Sequence, residues 1–244
     1  MYLTFNKDEF CNKFLAPISK ISDSTIVTVE AQTVTSVCKT VDNNTIMVAR
    51  CTIVDSDCVQ PVKLNIYNVQ KFIRAFDCVS DTQVTVSLNS NNIEYKSPQV
   101  KFKFHLLEDG IIAPVSLSVQ KIDNFEYDTH FKMSATTVSQ LIKTSAFITA
   151  SNKIYFYTED GRVMGELTDR TKHNMDSMSV QIADRHSGTD LAKPLPYMFD
   201  SFRHMSTLKS PDIDVHINTS RGIMCMDVVE GNNQLKYILT AMVG

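Results

Sequence analysis

The sequence predicts an α+β protein made of two copies of one unit, each with two helices packed on antiparallel sheets. Three observations support this prediction: the sequence repeats itself at a shift of 128 to 129 residues, four segments have helical periodicity, and apolar and polar residues alternate through most of the rest.

The composition is that of a folded protein of one or two domains. The 244 residues are 43% hydrophobic and 21% charged, which excludes a disordered or fibrous chain. A net charge of −3 excludes a protein that is basic all over, but not a basic face balanced by acidic residues elsewhere. No apolar run approaches ~18 residues and no secretory signal is visible. The six cysteines form no Cys-x-x-Cys pair, so we expect reduced core thiols in a cytoplasmic protein.

The repeat appears when the sequence is compared with itself. At a shift of 128 residues, Leu3 and Phe5 fall on Phe131 and Met133. After one residue of drift, further equivalent positions are Arg74 with Arg203, and Val84, Val86 and Leu88 with Ile213, Val215 and Ile217. Because these matches keep their order and a nearly constant offset, they indicate a duplicated unit.

Each half reads as a strand, a helix, several strands, a second helix and several strands. The four predicted helices are Lys7 to Leu15, Asn68 to Val79, Ala135 to Ile148 and Tyr197 to Leu208. Pro17 is expected to end or kink the first helix.

The predicted domains are residues 1–108 and 131–244. The connector between them, residues 109–130, shows no clean period although Ile111, Ile112 and Val115 are apolar. We interpret it as a surface tether, and a simple domain joint is the alternative.

Basic residues gather on the polar faces of these helices. Lys71 and Arg74 lie opposite the apolar face that contains Phe72 and Phe76. The other helices contribute Lys13, Lys20, Lys143 and Arg203, and Lys209 follows the fourth helix. Most acidic residues lie in the connector and turns, with Glu9 and Asp200 as exceptions. This segregation indicates helices that face a polyanion through phosphate contacts, although each cation alone could be an ordinary solvated residue.

The repeat, the order of elements, the connector and the last strand, Leu235 to Ala241, together resemble the two-domain DNA sliding clamps, including proliferating cell nuclear antigen and the clamps of large tailed phages. The resemblance covers the whole chain and is architectural, without a short diagnostic motif. It implies two tandem repeats of the DNA-clamp fold. It also implies a head-to-tail homotrimeric ring that encircles duplex DNA without sequence preference and gives the replicative polymerase processivity in viral, bacteriophage-type replication. The implied partners are the DNA polymerase, a clamp loader and the transcription machinery, in the host-cell cytoplasm.

The resemblance also implies site residues by position. The DNA-facing residues are Lys13, Lys20, Lys71, Arg74, Lys143, Arg203 and Lys209. The pocket for a partner peptide, beneath the connector, comprises Val41, Ile46, Ile112, Ala241 and Met242. The strand Val100 to Leu107 is expected to pair with Met178 to Asp184 of the next subunit, which would cover two strand edges. The chain departs from the family in lacking an acidic tail after Gly244 and in carrying Pro17.

No pattern indicates an enzyme, a cofactor or a metal site. The six histidines are scattered, and we expect His105 and His216 to be solvent-facing or hydrogen-bonded residues of strands. Asp55-Ser56-Asp57 and Asp212-Ile213-Asp214 lack the glycine and the later glutamate of a calcium loop. Two other classes stay open: a processivity factor that binds DNA as a monomer or dimer without encircling it, and a phage structural or adaptor protein with duplicated β-rich domains.

Overall fold

Antiparallel strands and short helices alternate along the chain, in a computed structural model that describes residues 1–206, 208 and 212–242. The chain divides into two compact units. The first comprises Met1–Val41, Ile46–Ile122 and Val229–Leu235, and the second comprises Asp42–Thr45, Asp123–Val228 and Lys236–Gly244. Helices pack on antiparallel sheets in both units, so the predicted α+β class is confirmed.

The first unit contains two antiparallel sheets and three α-helices. Its elements are β1 (Tyr2–Asn6), a π-helical stretch (Asp8–Leu15), α1 (Ala16–Ile21), β2 (Thr25–Glu30), β3 (Thr33–Lys39), β4 (Thr45–Thr52), β5 (Asp55–Ser56), β6 (Val62–Ile66), α2 (Val69–Ala75), β7 (Gln83–Asn89), β8 (Asn92–Lys96), β9 (Lys101–His105) and α3 (Val119–Asp123). One sheet has the order β5-β1-β7-β8-β9, and the other contains β4-β3-β2-β6. Buried apolar residues that alternate along these strands, such as Val84, Val86 and Leu88, form the core.

The second unit has the same plan. Its elements are β10 (Thr129–Met133), α4 (Ala135–Thr144), β11 (Lys153–Glu159), β12 (Arg162–Leu167), β13 (Met178–Ala183), β14 (Ser187–Gly188), β15 (Leu195–Met198), α5 (Asp200–Arg203), β16 (Ile213–Asn218), β17 (Ile223–Glu230) and β18 (Asn233–Thr240). One sheet has the order β13-β12-β11-β15, and the other contains β14-β10-β16-β17-β18.

The strand register reproduces the sequence repeat. In the first unit β1 pairs with β7 so that Leu3 lies opposite Val86. In the second unit β10 pairs with β16 so that Phe131 lies opposite Val215. These are the residues that the shifts of 128 and 129 make equivalent, so the duplication extends from the apolar pattern to the pairing of strands.

The prediction that Pro17 ends the first helix was wrong, and the alternative that it kinks the helix stays a prediction. The π-helical stretch Asp8–Leu15 runs directly into α1, which continues beyond Pro17 to Ile21. Pro17 follows the change from π-helical to α-helical geometry, and the residues on both sides of it are helical. Lys20 therefore belongs to a helix.

The other three helices are shorter than predicted because their last turns tighten. After α2, α4 and α5 the chain continues in i to i+3 hydrogen bonds, as from Val79 N to Phe76 O at 3.0 Å and from Ile148 N to Ser145 O at 3.2 Å. The fourth helix also begins later than predicted, because Tyr197 lies in β15 opposite Ile154. The apolar spacing was correct, but it does not distinguish an α-helix from a series of tight turns.

The connector is more ordered than its sequence indicates. It contains α3, and Ile122 at the end of that helix is buried. At its start, Asn65 Nδ2 donates to Asp109 Oδ1 over 2.8 Å and to Leu107 O over 3.2 Å, which ties the connector to the first unit. β10 begins at Thr129.

Candidate nucleic-acid interface

Three cations of the first unit share one surface on neighbouring helices. Gln70 Nε2 of α2 donates to Ser19 Oγ of α1 over 2.7 Å, so the end of α1 lies beside the start of α2. Lys20 follows Ser19, Lys71 follows Gln70, and Arg74 lies one turn beyond Gln70 on the same face. All three side chains are exposed.

The charges of this cluster are not neutralised by the protein. Within the part of the chain that the structure describes, neither Lys20 nor Arg74 forms an ion pair. Lys71 Nζ donates to Tyr67 Oη over 2.6 Å and lies 5.2 Å from the centre of that ring, which orients the ammonium group without cancelling its charge. Lys20, Lys71 and Arg74, hereafter the first-unit basic cluster, can therefore contact phosphates.

Lys13 differs from that cluster, because its charge is already compensated. Its Nζ lies 2.6 Å from Glu9 Oε1 and 3.6 Å from Asp8 Oδ2. The hydrogen bond to Glu9 raises the pKa of Lys13. Glu9 in turn accepts hydrogen bonds from Asn232 N and Asn233 Nδ2, each over 2.8 Å. Glu9 therefore stabilises the turn between β17 and β18 through these hydrogen bonds, although it is an acidic residue on a helix face with many cations.

The close approach of this turn to Glu9 gives a stability prediction. Gly231 has φ +62°, and a Cβ there would come within 2.5 Å of Glu9 Oε2. Gly161 has φ +76°, but its Cβ would meet nothing within 4 Å. The left-handed backbone costs each alanine variant about 1–2 kcal/mol. Only Gly231→Ala also disturbs the Glu9 hydrogen bonds, so we expect it to lower the free energy of unfolding more than Gly161→Ala in urea denaturation. Equal effects of the two variants would contradict this role of Glu9.

The second unit contributes fewer free charges. Lys143 is exposed at the end of α4 and, among the described residues, forms no ion pair. Arg203 Nη1 lies 2.5 Å from Asp200 Oδ1, and its guanidinium group lies 5.1 Å from the centre of the Phe199 ring. Its second nitrogen contacts Ser145 Oγ at 3.5 Å. Lys209, the seventh predicted DNA-facing residue, lies outside the described residues.

These differences predict unequal contributions to DNA binding from matched arginines. Arg74 and Arg203 are equivalent in the repeat, but only Arg203 is paired with a carboxylate. For duplex DNA, the plot of log K against log salt concentration has a slope of about −0.9 for each phosphate that the protein neutralises. We therefore expect Arg74→Ala to make this slope less steep by about 0.9 for each phosphate contact that is lost. Arg203→Ala should reduce it by less. Titrations at several salt concentrations measure both slopes, and a larger effect at Arg203 would contradict the ranking.

The predicted partner-pocket residues lie at accessible positions. In the first unit, Val41 in the turn after β3 is fully exposed, and Ile46 in β4 and Ile112 in the connector are half-buried. In the second unit, Ala241 and Met242 follow β18 and are half-buried. Their backbone is fixed, because Ala241 N donates to Gly222 O over 2.6 Å and Met242 N to Pro196 O over 2.8 Å.

The connector also covers a groove that the sequence did not predict. Its residues Pro114, Val115 and Val119 face strand residues such as Ile26 and Val37, around a cavity of about 720 Å³ within the first unit. The lining mixes aliphatic side chains with threonines and charged groups. The floor of the groove is formed by the paired strands β2 and β3. Only this pairing could have indicated the groove.

Each described sheet ends in strands that pair on one side only, and β9 and β13 are the two that are expected to pair between subunits. Among the described strands, β9 pairs with β8 alone in the first unit, and β13 pairs with β12 alone in its sheet of the second unit. Lys101 and Lys103 are exposed on β9, and Ser179 and Gln181 are exposed on β13. A row of unpaired N–H and C=O groups at each edge is a template for another strand.

The Asp55–Asp57 pair and the buried cysteines have structural surroundings. No three metal-ligating side chains within them are grouped to hold a metal ion. Asp55 and Asp57 have structural partners, since Asp55 accepts from Tyr2 Oη over 2.8 Å and Asp57 from Tyr2 N over 2.6 Å. Burial raises the pKa of the Cys38 thiol to about 12, which is opposite to the shift of a nucleophile. Cys78 is exposed, unlike the other five cysteines.

Within the described parts of the chain, no helix has the length and apolar character to cross a membrane.

Solved structures share this fold along the whole chain. A chain in the complex of the C-terminal region of FEN-1 with A. fulgidus PCNA is 11% identical, with a TM-score of 0.79 over 100% of this chain and 98% of that chain. Proliferating cellular nuclear antigen from Entamoeba histolytica is 12% identical, with a TM-score of 0.78 over 99% of this chain and 98% of that chain. A putative DNA polymerase III beta subunit from Eubacterium rectale is 10% identical, with a TM-score of 0.75 over 100% of this chain and 66% of that chain. No protein-family model and no curated protein matches the sequence. The chain therefore has the fold of the DNA sliding clamps.

Proposed function

We propose that this chain is a DNA polymerase sliding clamp that assembles head to tail into a homotrimeric ring, encircles duplex DNA and tethers the replicative polymerase. The observation that carries the proposal is the likeness in fold over essentially the full length of both this chain and proliferating cellular nuclear antigen. A fold can host several functions, so three features of the chain's own residues add support.

The first feature is the free edges of β9 and β13, two of the strands that end a sheet. Pairing β9 of one subunit with β13 of the next would satisfy both rows of backbone groups. Because the two edges are different surfaces, such contacts are heterologous and form a ring where the rotation closes.

The second feature is the first-unit basic cluster. Three exposed cations on adjacent helices, in a chain of net charge −3, provide phosphate contacts at a restricted surface. Contacts of lysine and arginine with phosphates carry no sequence information, so a cluster that binds in this way suits DNA of any sequence. A scaffold of this kind needs no catalytic group, cofactor or metal.

The third feature is the apolar surface of the connector and of the C-terminal strand end. One structural neighbour is a PCNA in complex with the C-terminal region of FEN-1. By analogy, we expect a short peptide of the polymerase, the clamp loader or the transcription machinery to bind here. Its bulky apolar side chains would contact the predicted pocket residues Val41, Ile46, Ile112, Ala241 and Met242. We place this activity in the cytoplasm, in bacteriophage-type DNA replication.

The mass of the assembly in solution tests the proposal. Light scattering at micromolar concentration is expected to give three times the mass of one chain, because two units per chain need three chains for a six-unit ring. A monomer or a dimer at every concentration would favour the non-encircling processivity factor. A different closed oligomer would favour the structural or adaptor protein.

A further inference from the structure

Two histidines that are 86 residues apart in sequence meet on neighbouring strands of the second unit. His130 of β10 lies opposite His216 of β16 in the register. Their Nδ1 atoms are 2.8 Å apart, and the ring centroids are 5.1 Å apart with the planes at 70°. Both side chains are half-buried. Antiparallel partners have side chains on the same face, so the register itself brings the rings together.

The surroundings of the pair are well defined. Cys225 of β17 is the register partner of His216, and the Tyr127 ring lies 5.7 Å from the His216 ring. The next row of the sheet holds an ion pair between Lys132 Nζ and Asp214 Oδ1 at 3.5 Å. The other charged groups nearby are Asp227 and Lys236, which lie 3.6 Å apart. A cavity of about 570 Å³ is lined by His130, Lys132, Arg185 and His186, and it gives solvent a route to the first ring.

The short contact restricts the protonation of both rings. Two Nδ1 atoms at 2.8 Å need one N–H donor and one lone pair, because two N–H groups would repel each other. A pair that shares one Nδ1 proton across this contact offers nitrogen lone pairs rather than two cations, which is the state that a metal ion requires.

The separation of the nitrogens selects among metals. With each nitrogen about 2.0–2.1 Å from a shared ion, a 2.8 Å separation corresponds to an angle of about 90° at the metal. Tetragonal ions such as Ni²⁺ and Cu²⁺ prefer this cis angle, whereas tetrahedral Zn²⁺ prefers a wider one.

We propose that His130 and His216 form a two-histidine binding site for one tetragonal divalent metal ion, Ni²⁺ or Cu²⁺, with water in the remaining coordination positions. Within the described residues no third ligand is grouped with the pair, so the site is shallow and exchangeable. On binding, the single Nδ1 proton is lost to solvent and the Nε2 of that ring takes up one proton. Both rings stay neutral, and no net proton is released at neutral pH.

Calorimetric titration of the full, tag-free chain with NiCl₂ at pH 7.5 tests the site. The expected result is one Ni²⁺ per chain for the unsubstituted protein. His130→Ala and His216→Ala should each weaken binding about 10-fold or more, since even removal of a group that only orients a metal ligand has effects of that size. His173→Ala is the matched control, because His173 is exposed in a loop of the same unit, and it should leave binding unchanged.

A second measurement on the unsubstituted protein keeps the test valid if a variant fails to fold. Paramagnetic Ni²⁺ should broaden the imidazole NMR signals of His130 and His216 first. Broadening first at His173 or His105 would overturn the proposal. So would the absence of Ni²⁺ binding, or unchanged binding by folded His130→Ala and His216→Ala variants. None of these results depends on DNA or polymerase binding.

Discussion

Gln181→Pro is expected to convert the proposed trimer into folded monomers. Gln181 is an exposed residue of the edge strand β13, and proline both lacks a backbone N–H and is excluded from strands paired on both sides. Light scattering should show the mass falling from three chains to one, with the circular dichroism spectrum retained. Gln181→Ala is the control, because it removes the side chain but keeps the backbone donor, and it should remain a trimer.

A complementary variant tests the head-to-tail arrangement. Lys103→Pro damages the other edge, β9, and should also give monomers. An equimolar mixture of the two variants keeps one intact β9 and one intact β13, on different chains. We therefore expect a heterodimer held by a single β9–β13 joint. A folded Gln181→Pro trimer, or two folded monomeric variants that do not associate when mixed, would contradict this joint.

Ile112→Asp combined with Met242→Asp is expected to abolish stimulation of the polymerase while the trimer persists. Both side chains are half-buried at the surface, so aspartate is tolerated by the fold, but its charge cannot be buried beneath a partner peptide. Two buried apolar anchors contribute roughly 3–6 kcal/mol before ordering costs, which suits an exchangeable partner. Primer extension with and without the variant measures the effect.

The control for this variant is Val59→Asp. Val59 is 90% exposed in the loop before β6 and lies outside the predicted pocket. The substitution adds the same charge at an exposed valine, and stimulation should be unchanged. If the Ile112→Asp, Met242→Asp ring captures the polymerase as well as the unsubstituted ring does, the partner site lies elsewhere on the chain.

The fold was largely predictable because duplication doubles each weak signal. Alternation in one short strand is ambiguous, but Val84, Val86 and Leu88 matched to Ile213, Val215 and Ile217 gave the same strand twice, and both are buried. Helix ends were not predictable in the same way. The apolar spacing through Val79 continues into turns with i to i+3 bonds, and the helix continues past a buried Pro17.

The sequence predicted which basic residues lie on the polar helix faces of the candidate site. It did not predict which of them form ion pairs within the protein. Helical periodicity placed Lys13 and Arg203 on polar faces, yet their ion pairs with Glu9 and Asp200 depend on side-chain packing. The role of Glu9 requires the turn at Asn232 to lie close to it, over a sequence separation of 223 residues. The meeting of His130 and His216 depends on strand register, which hydrophobic alternation leaves open in steps of two residues.

The most direct test of the central claim is topological. The protein is loaded onto linear duplex DNA through its free ends, both ends are then blocked with streptavidin on terminal biotin, and the complex is washed at high salt. A closed ring should stay on the DNA, since salt screens phosphate contacts but cannot break a topological link. Cutting the DNA between the blocks should then release it. Loss of the protein in the wash before the cut would contradict encirclement.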